Sequence, residues 1–172
     1  MTRKVSLAAL VIWLILASRA YADAACATQQ LRNPAPTLAD IYAMAEKHAR
    51  AWKPDAVPAS ISTTSLGMLQ PNGGAAGWHI LFYSESAKST VSIDTFRGSL
   101  NCFATPGPAG RIPDLKPDFQ RDGAKLYAIA KQNGEALLAQ GYGVMIGTAA
   151  ASSRHATWNI SYNKERAKDP GS

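Results

Sequence analysis

Apolar positions first recur in helical rhythm at Leu38, Ile41, Ala45, His48 and Trp52, which places them on one face of a helix. Thr37 ahead of them is a capping residue, and Asp40 three positions on gives an arrangement close to a capping box. The rhythm ends at Trp52-Lys53-Pro54, because a residue before proline is pushed out of the helical region. These signals predict a helix from Leu38 to about Lys53. The pattern then changes to strand-like runs. Ala59 to Leu69 is rich in Ser, Thr and Ile, and Gln70-Pro71-Asn72-Gly73-Gly74 closes it with a turn. Trp78, Ile80 and Phe82 alternate with His79, Leu81 and Tyr83, as expected of a strand covered at least partly on both faces. After the polar connection Ser84 to Ser89, Thr90 to Asp94 puts Val91 and Ile93 on one face. Gly98 then leads to a short strand around Leu100 to Phe103. This half predicts one helix followed by an antiparallel meander.

A stretch rich in proline and glycine, 104–117, reads as a linker inside the domain. A second helix is predicted from about Asp118 to Gln140, with Phe119, Leu126, Ile129, Ala130 and Leu137 as its apolar stripe and Gly141 as its C-cap. Gly123 and Gly134 weaken it by about 1 kcal/mol each relative to alanine. Tyr142 to Thr148 and Ala156 to Tyr162 follow as strands around a turn at Ser152-Ser153-Arg154, and a polar tail covers 164–172. The two halves align as copies of one unit. Ile41-Tyr42-Ala43-Met44-Ala45 matches Leu126-Tyr127-Ala128-Ile129-Ala130, and Trp78-His79-Ile80-Leu81-Phe82 matches Trp158-Asn159-Ile160-Ser161-Tyr162. The helices lie 85 positions apart and the strands 80, so a five-residue deletion in the second copy aligns both. The expected fold is α+β: two helix-plus-antiparallel-strand repeats, 37–103 and 118–163, with the helices packed on an antiparallel sheet. The second copy lacks an equivalent of Val91 to Phe103.

The first 22 residues carry the pattern of a cleavable bacterial secretory signal: Arg3 and Lys4, the apolar run Val5 to Leu16, and the small-x-small site Ala20-Tyr21-Ala22. That run is shorter than the roughly 20 residues a spanning helix needs, and Asp23-Ala24-Ala25 before Cys26 does not match a lipoprotein site. Cleavage makes Asp23 the first residue and 23–36 an N-terminal arm. The remaining 150 residues suit a single domain with one core. The formal charge falls from +6 to +3 on cleavage. The basic residues that stay are scattered, which argues against nucleic-acid binding. Cys26 and Cys102 both remain, and an oxidising compartment favours pairing them, with two free buried thiols as the alternative. Their separation excludes the common metal and redox motifs.

At these residues the chain resembles the PepSY and PepSY-like families of secreted bacterial proteins. The points of likeness are the opening amphipathic helix, Trp78-x-Ile80, and Val91-Ser92-Ile93-Asp94-Thr95-Phe96-Arg97-Gly98-Ser99-Leu100, which is similar to that family's valine-rich strand, aspartate and turn glycine. The likeness covers 37–103 and, more loosely, 118–162, and this chain departs by inserting three residues between Asp94 and Gly98. The resemblance implies a cystatin-like helix across an antiparallel sheet. It also implies protein or peptide binding, often restraint of a peptidase, without a catalytic centre.

The chain's own chemistry points the same way. His48 lacks the second histidine four positions on that a helical zinc site needs, His79 neighbours Trp78 on a strand, and His155 lies at a turn beside Arg154. None has a carboxylate at motif spacing, so a triad would have to be assembled by the fold. Gly67 to Gly77 carries no lysine and opens no helix, which excludes a phosphate loop. Trp52, Trp78 and Trp158 read as packing residues. The sequence therefore predicts no catalytic residue, cofactor or metal ligand. It predicts a periplasmic or secreted protein-binding module without enzymatic activity, restraining a secreted or cell-wall-acting enzyme as inhibitor, chaperone-like protein or toxin immunity protein. A cell-envelope hydrolase or ligand binder with a site formed only by folding is the alternative. Binding residues concentrate on loops, and Asn72, Arg111, Asp114 and Lys116 are the candidates for partner contact.

Overall fold

A computed structural model describes residues 26–107, 121–151 and 155–164. The expected signal segment 1–22, Arg111, Asp114 and Lys116, Phe119, the turn at 152–154 and the tail beyond Lys164 lie outside the described residues. Among the described residues, seven strands form one antiparallel sheet: β1 Gln29–Gln30, β2 Val57–Thr63, β3 Trp78–Ser84, β4 Ser89–Phe96, β5 Ser99–Pro106, β6 Tyr142–Ala151 and β7 His155–Lys164. Their order across the sheet is β1-β5-β4-β3-β2-β6-β7. Two helices, α1 Leu38–Trp52 and α2 Gly123–Ala139, pack on it, so the class is α+β, helix on sheet.

Helix α1 begins as its residues dictate. Thr37 Oγ1 accepts from Asp40 N at 3.2 Å and donates to Asp40 Oδ2 at 2.7 Å, satisfying one of the helix's unpaired amide groups. Its buried face is Leu38, Ile41, Tyr42, Ala45 and Ala49. These side chains enter one core with Ile61, Trp78, Ile80, Phe82, Val91, Ile93, Leu100, Leu126, Ala130, Val144 and Ile146. Alternation along each strand sends those residues to one side, so both helices cover the same face of the sheet.

Several boundaries differ from the expected ones for local reasons. The strand expected to reach Leu69 stops at Thr63, where Gly67 N–H bonds to Thr64 O and turns the chain; Leu69 then makes an isolated bridge to Val144. Strand β5 runs on to Pro106, so the linker expected from position 104 starts later. Helix α2 starts at Gly123, not near Asp118, because Asp122 is its N-cap and accepts from Lys125 N at 3.0 Å. Ile129 is 40% exposed and leaves the stripe to Leu126, Ala130 and Gly134. Gly134 has a packing role: a Cβ there would fall 2.2 Å from Tyr162 Cζ, and the Tyr162 hydroxyl donates to Ala130 O at 2.6 Å. The glycine costs helix propensity so that β7 can close on the helix.

The loop at Gln70–Gly77 is packed between the two helix starts. Gly73, with φ +77°, accepts from Leu38 N at 3.1 Å, and a Cβ on it would meet the backbone of Gly123 and Ala124. Asp55 fastens the β3–β4 turn. It accepts from Ser84 Oγ at 2.8 Å, Ser86 N at 2.8 Å and Ser86 Oγ at 2.9 Å. The backbone N–H of Ser86 and then the Ser84 hydroxyl hold its carboxyl at about 2. A carboxyl lowered in the folded state stabilises above its unfolded value near 3.8 and loses that contribution as pH falls through about 2. Acid unfolding curves of wild type and Asp55→Asn should therefore converge between about pH 4 and pH 2. A difference that persists unchanged to pH 2 would show that Asp55 is not held this way.

Candidate functional site: the uncovered sheet face

The helices cover one face of the sheet, and the registers fix what lies on the other. Asn101 pairs with Asp94, Asp94 with His79, His79 with Ser62, Ser62 with Gly147 and Gly147 with Asn159. These residues alternate with core residues along their strands, so one cross-strand row runs over β5, β4, β3, β2, β6 and β7 on the side away from the helices. Thr28 extends it, donating from Oγ1 to Asn101 Oδ1 at 3.0 Å. In the next row Phe103 pairs with Ser92 and Ser92 with Leu81. Phe103 is 56% exposed, and Phe96, two positions beyond Asp94 on β4, lies on the same face at 42%, so exposed aromatic side chains border the polar row.

At the centre of the face His79 Nδ1 donates to Asp94 Oδ1 at 2.5 Å, and Ser92 Oγ donates to Asp94 Oδ2 at 2.6 Å. The His79 pKa is raised, first because the imidazole donates to Asp94, against the opposing effect of burial. Burial alone pushes Asp94 up, but hydrogen bonds from His79 and Ser92 outweigh it and its pKa ends below the ordinary carboxylate value. A histidine raised in the folded state stabilises below its unfolded pKa and loses that contribution as pH rises through the folded value. The pair therefore contributes fully between the unfolded values, near 3.8 for Asp94 and 6.5 for His79, and fades as pH falls through the lowered Asp94 value or rises through the raised His79 value. Asp94→Asn should lower the His79 pKa, read by proton NMR of the imidazole. An unmoved titration would show that the pair does not form in solution.

The cluster holds a serine, a histidine and an aspartate, but not in relay geometry. A nucleophile must meet the imidazole nitrogen opposite the one held by the carboxylate. Here Ser92 Oγ lies 3.3 Å from the same Nδ1 that Asp94 occupies, and its proton goes to Asp94. The arrangement supplies a fixed donor-acceptor pattern and a pH-sensitive charge.

Of the residues singled out for partner contact, Arg111, Asp114 and Lys116 lie outside the described residues. Asn72 is exposed, but its Oδ1 accepts from Gly74 N at 3.0 Å and serves the turn. Cys26 and Cys102 are bonded, with their Cα atoms 5.4 Å apart. The arm is thereby held against β5, where Gln29 and Gln30 pair with Leu100 and Ser99. His48 is half-buried on α1, beside that disulfide. His155 opens β7. Sequence reasoning missed the His79–Asp94 pair, although alternation had set His79 opposite the Trp78 face and Asp94 opposite the Val91 and Ile93 face; the absent signal was which strands are neighbours. It also missed Arg121, whose Cζ lies 3.7 Å from the centroid of the Tyr42 ring. Among the described residues, no helix is long and apolar enough to cross a membrane. Comparison with protein-family models, with curated proteins and with solved structures returned no match, so the functional reading rests on this geometry.

Proposed function

We propose that the protein is a periplasmic or secreted binding module of a bacterium, without enzymatic activity, that holds another protein against the uncovered sheet face. The partner class is a secreted or envelope enzyme, restrained as by an inhibitor or an immunity protein. The observation that carries this reading is the polar row from Asn101 to Asn159, flanked by the exposed Phe103. Ordered donors and acceptors around an aromatic anchor are what a protein surface recognises. The disulfide and the signal-like segment 1–22 support an oxidising compartment.

A two-repeat, PepSY-like architecture belongs to the same proposal. Its support is positional. The N-caps Thr37 and Asp122 lie 85 positions apart, as do the buried pairs Ile41 and Leu126, and Ala45 and Ala130. Trp78 pairs with Thr63 and Ile80 with Ile61, as Trp158 pairs with Thr148 and Ile160 with Ile146. Where β2 meets β6, Ile61 N–H donates to Thr148 Oγ1 at 2.9 Å and Ile146 N–H donates to Thr63 Oγ1 at 3.0 Å, a reciprocal exchange between the matching threonines. Trp158 is only partly buried because β7 is an edge strand, whereas β4 lies beyond Trp78.

The test starts from mature protein whose first residue and disulfide are checked by mass spectrometry, with Asp23 expected. Partners crosslinked in periplasmic extract are identified, purified and titrated. Phe103→Ala with Asn101→Ala should weaken binding at least tenfold, while exposed substitutions of this kind usually move stability by less than about 0.5 kcal/mol. Arg111→Ala with Lys116→Ala tests the loop instead. Unchanged affinity in the sheet-face variant would overturn the placement. A hydrolytic activity abolished by His79→Ala would instead favour the hydrolase reading, for which the His79–Asp94 contact is the one observation.

A further inference from the structure

Cys26, Cys102 and His48 come from the N-terminal arm, β5 and α1, and their sulfur and imidazole ligand atoms all lie within 4.8 Å of one another. In the oxidised protein the two sulfurs are spent on each other. His48 is half-buried and makes no hydrogen bond or ion pair to any described residue. Neither ring nitrogen is buried without a partner, so the imidazole stays open to a ligand. Two sulfurs and one such nitrogen are a donor set for a thiophilic cation.

We propose that reducing the Cys26–Cys102 disulfide converts this staple into a zinc site, with both thiolates and one ring nitrogen of His48 as protein ligands and water in the fourth position. A dithiol reductant supplies two electrons and two protons, leaving as its own disulfide while Cys26 and Cys102 become thiols. Zn²⁺ then displaces both thiol protons to solvent and accepts a lone pair from neutral His48. Two cysteines, a histidine and a water form a known open zinc coordination. The resulting centre carries no net charge from its metal and thiolates, which suits a half-buried place.

The geometry permits the exchange. Zinc–sulfur and zinc–nitrogen bonds of about 2.3 and 2.0 Å in a tetrahedron space the ligand atoms by about 3.5–3.8 Å. The sulfurs must part and the imidazole close in by about 1–2 Å. His48 is fixed on α1 and Cys102 on β5, while Cys26 precedes the first strand and supplies the movement. The arm is then tied to the body of the domain in both redox states, by a covalent bond or by the metal.

The experiment uses the full mature chain reduced with a phosphine, which does not compete for zinc as a thiol would, and titrated with Zn²⁺ and with Co²⁺ as a spectroscopic probe. Reduced wild type should bind one equivalent and give sulfur-to-cobalt absorption, and oxidised wild type should give neither. His48→Ala should weaken binding by at least the 10- to 100-fold typical of losing even an outer-sphere partner. The Cys26→Ser/Cys102→Ser protein should not bind. If reduction unfolds the chain, one equivalent of Zn²⁺ should restore the circular dichroism of the oxidised protein. Equal binding by oxidised and reduced protein, His48→Ala affinity unchanged from wild type, or a reduced unfolded chain that zinc does not restore would each overturn the site.

Discussion

Trp78→Ala should cost about 3–5 kcal/mol of stability, the range for removing a large aromatic from a closed core. Trp78 is fully buried, and its indole Nε1 donates to Pro36 O at 3.0 Å. That bond ties the start of β3 to the residue before the α1 cap, and Trp78 N–H adds a second anchor by donating to Thr95 Oγ1 at 2.8 Å. The indole contributes apolar area and a satisfied polar contact, so truncation leaves a cavity and removes one of the two hydrogen bonds that Pro36 O accepts, the other coming from Ala75 N at 3.2 Å. The midpoint of urea unfolding should fall while its slope stays constant. Trp158→Ala, at a partly buried position on the edge strand, should cost visibly less. Equal losses at the two tryptophans would contradict the burial seen here.

The second large effect is expected from the disulfide. Cys26→Ser/Cys102→Ser should destabilise the oxidised protein by about 4.5 kcal/mol, the chain-entropy value for closing a loop of this length. The separation is 76 residues, and the bridged arm adds only the two-residue β1 and a few contacts of its own. The loss therefore comes mainly from the unfolded chain regaining freedom, with a smaller part from the arm leaving Leu100 and Ser99. Equilibrium unfolding in the presence of a chelator measures it. A loss below about 1 kcal/mol would mean that the unfolded chain is already constrained without the bridge.

Much of the secondary structure was legible because its signals are local. Thr37 and Pro54 bracket α1 through a hydrogen bond and a steric exclusion that act within a few residues. Alternation at Trp78, Ile80 and Phe82 gave β3 as a strand at least partly covered on both faces, and none of its residues is exposed. Errors arose where a local cap outweighs the apolar stripe, or where a distant contact competes with a local preference. Asp122 caps α2 later than the apolar stripe suggested, and Gly134 is kept for the Tyr162 ring. The strand expected to run through Leu69 is divided because Leu69 bonds to Val144 of β6.

The sequence by itself determined the two helices, the strand periods, the candidate cysteine pair and the absence of any local catalytic motif, since each depends on chain geometry over a few residues or on residue type. Only the tertiary structure decided that β2 and β6 are neighbours, because the seam carries one ladder pair, Ser62 with Gly147, and rests on the side chains of Thr63 and Thr148. The same step joined His79 to Asp94 and brought His48 to the two cysteines. Neither meeting has a sequence period, because it follows from which apolar faces bury against each other, and that choice is made by the whole core at once.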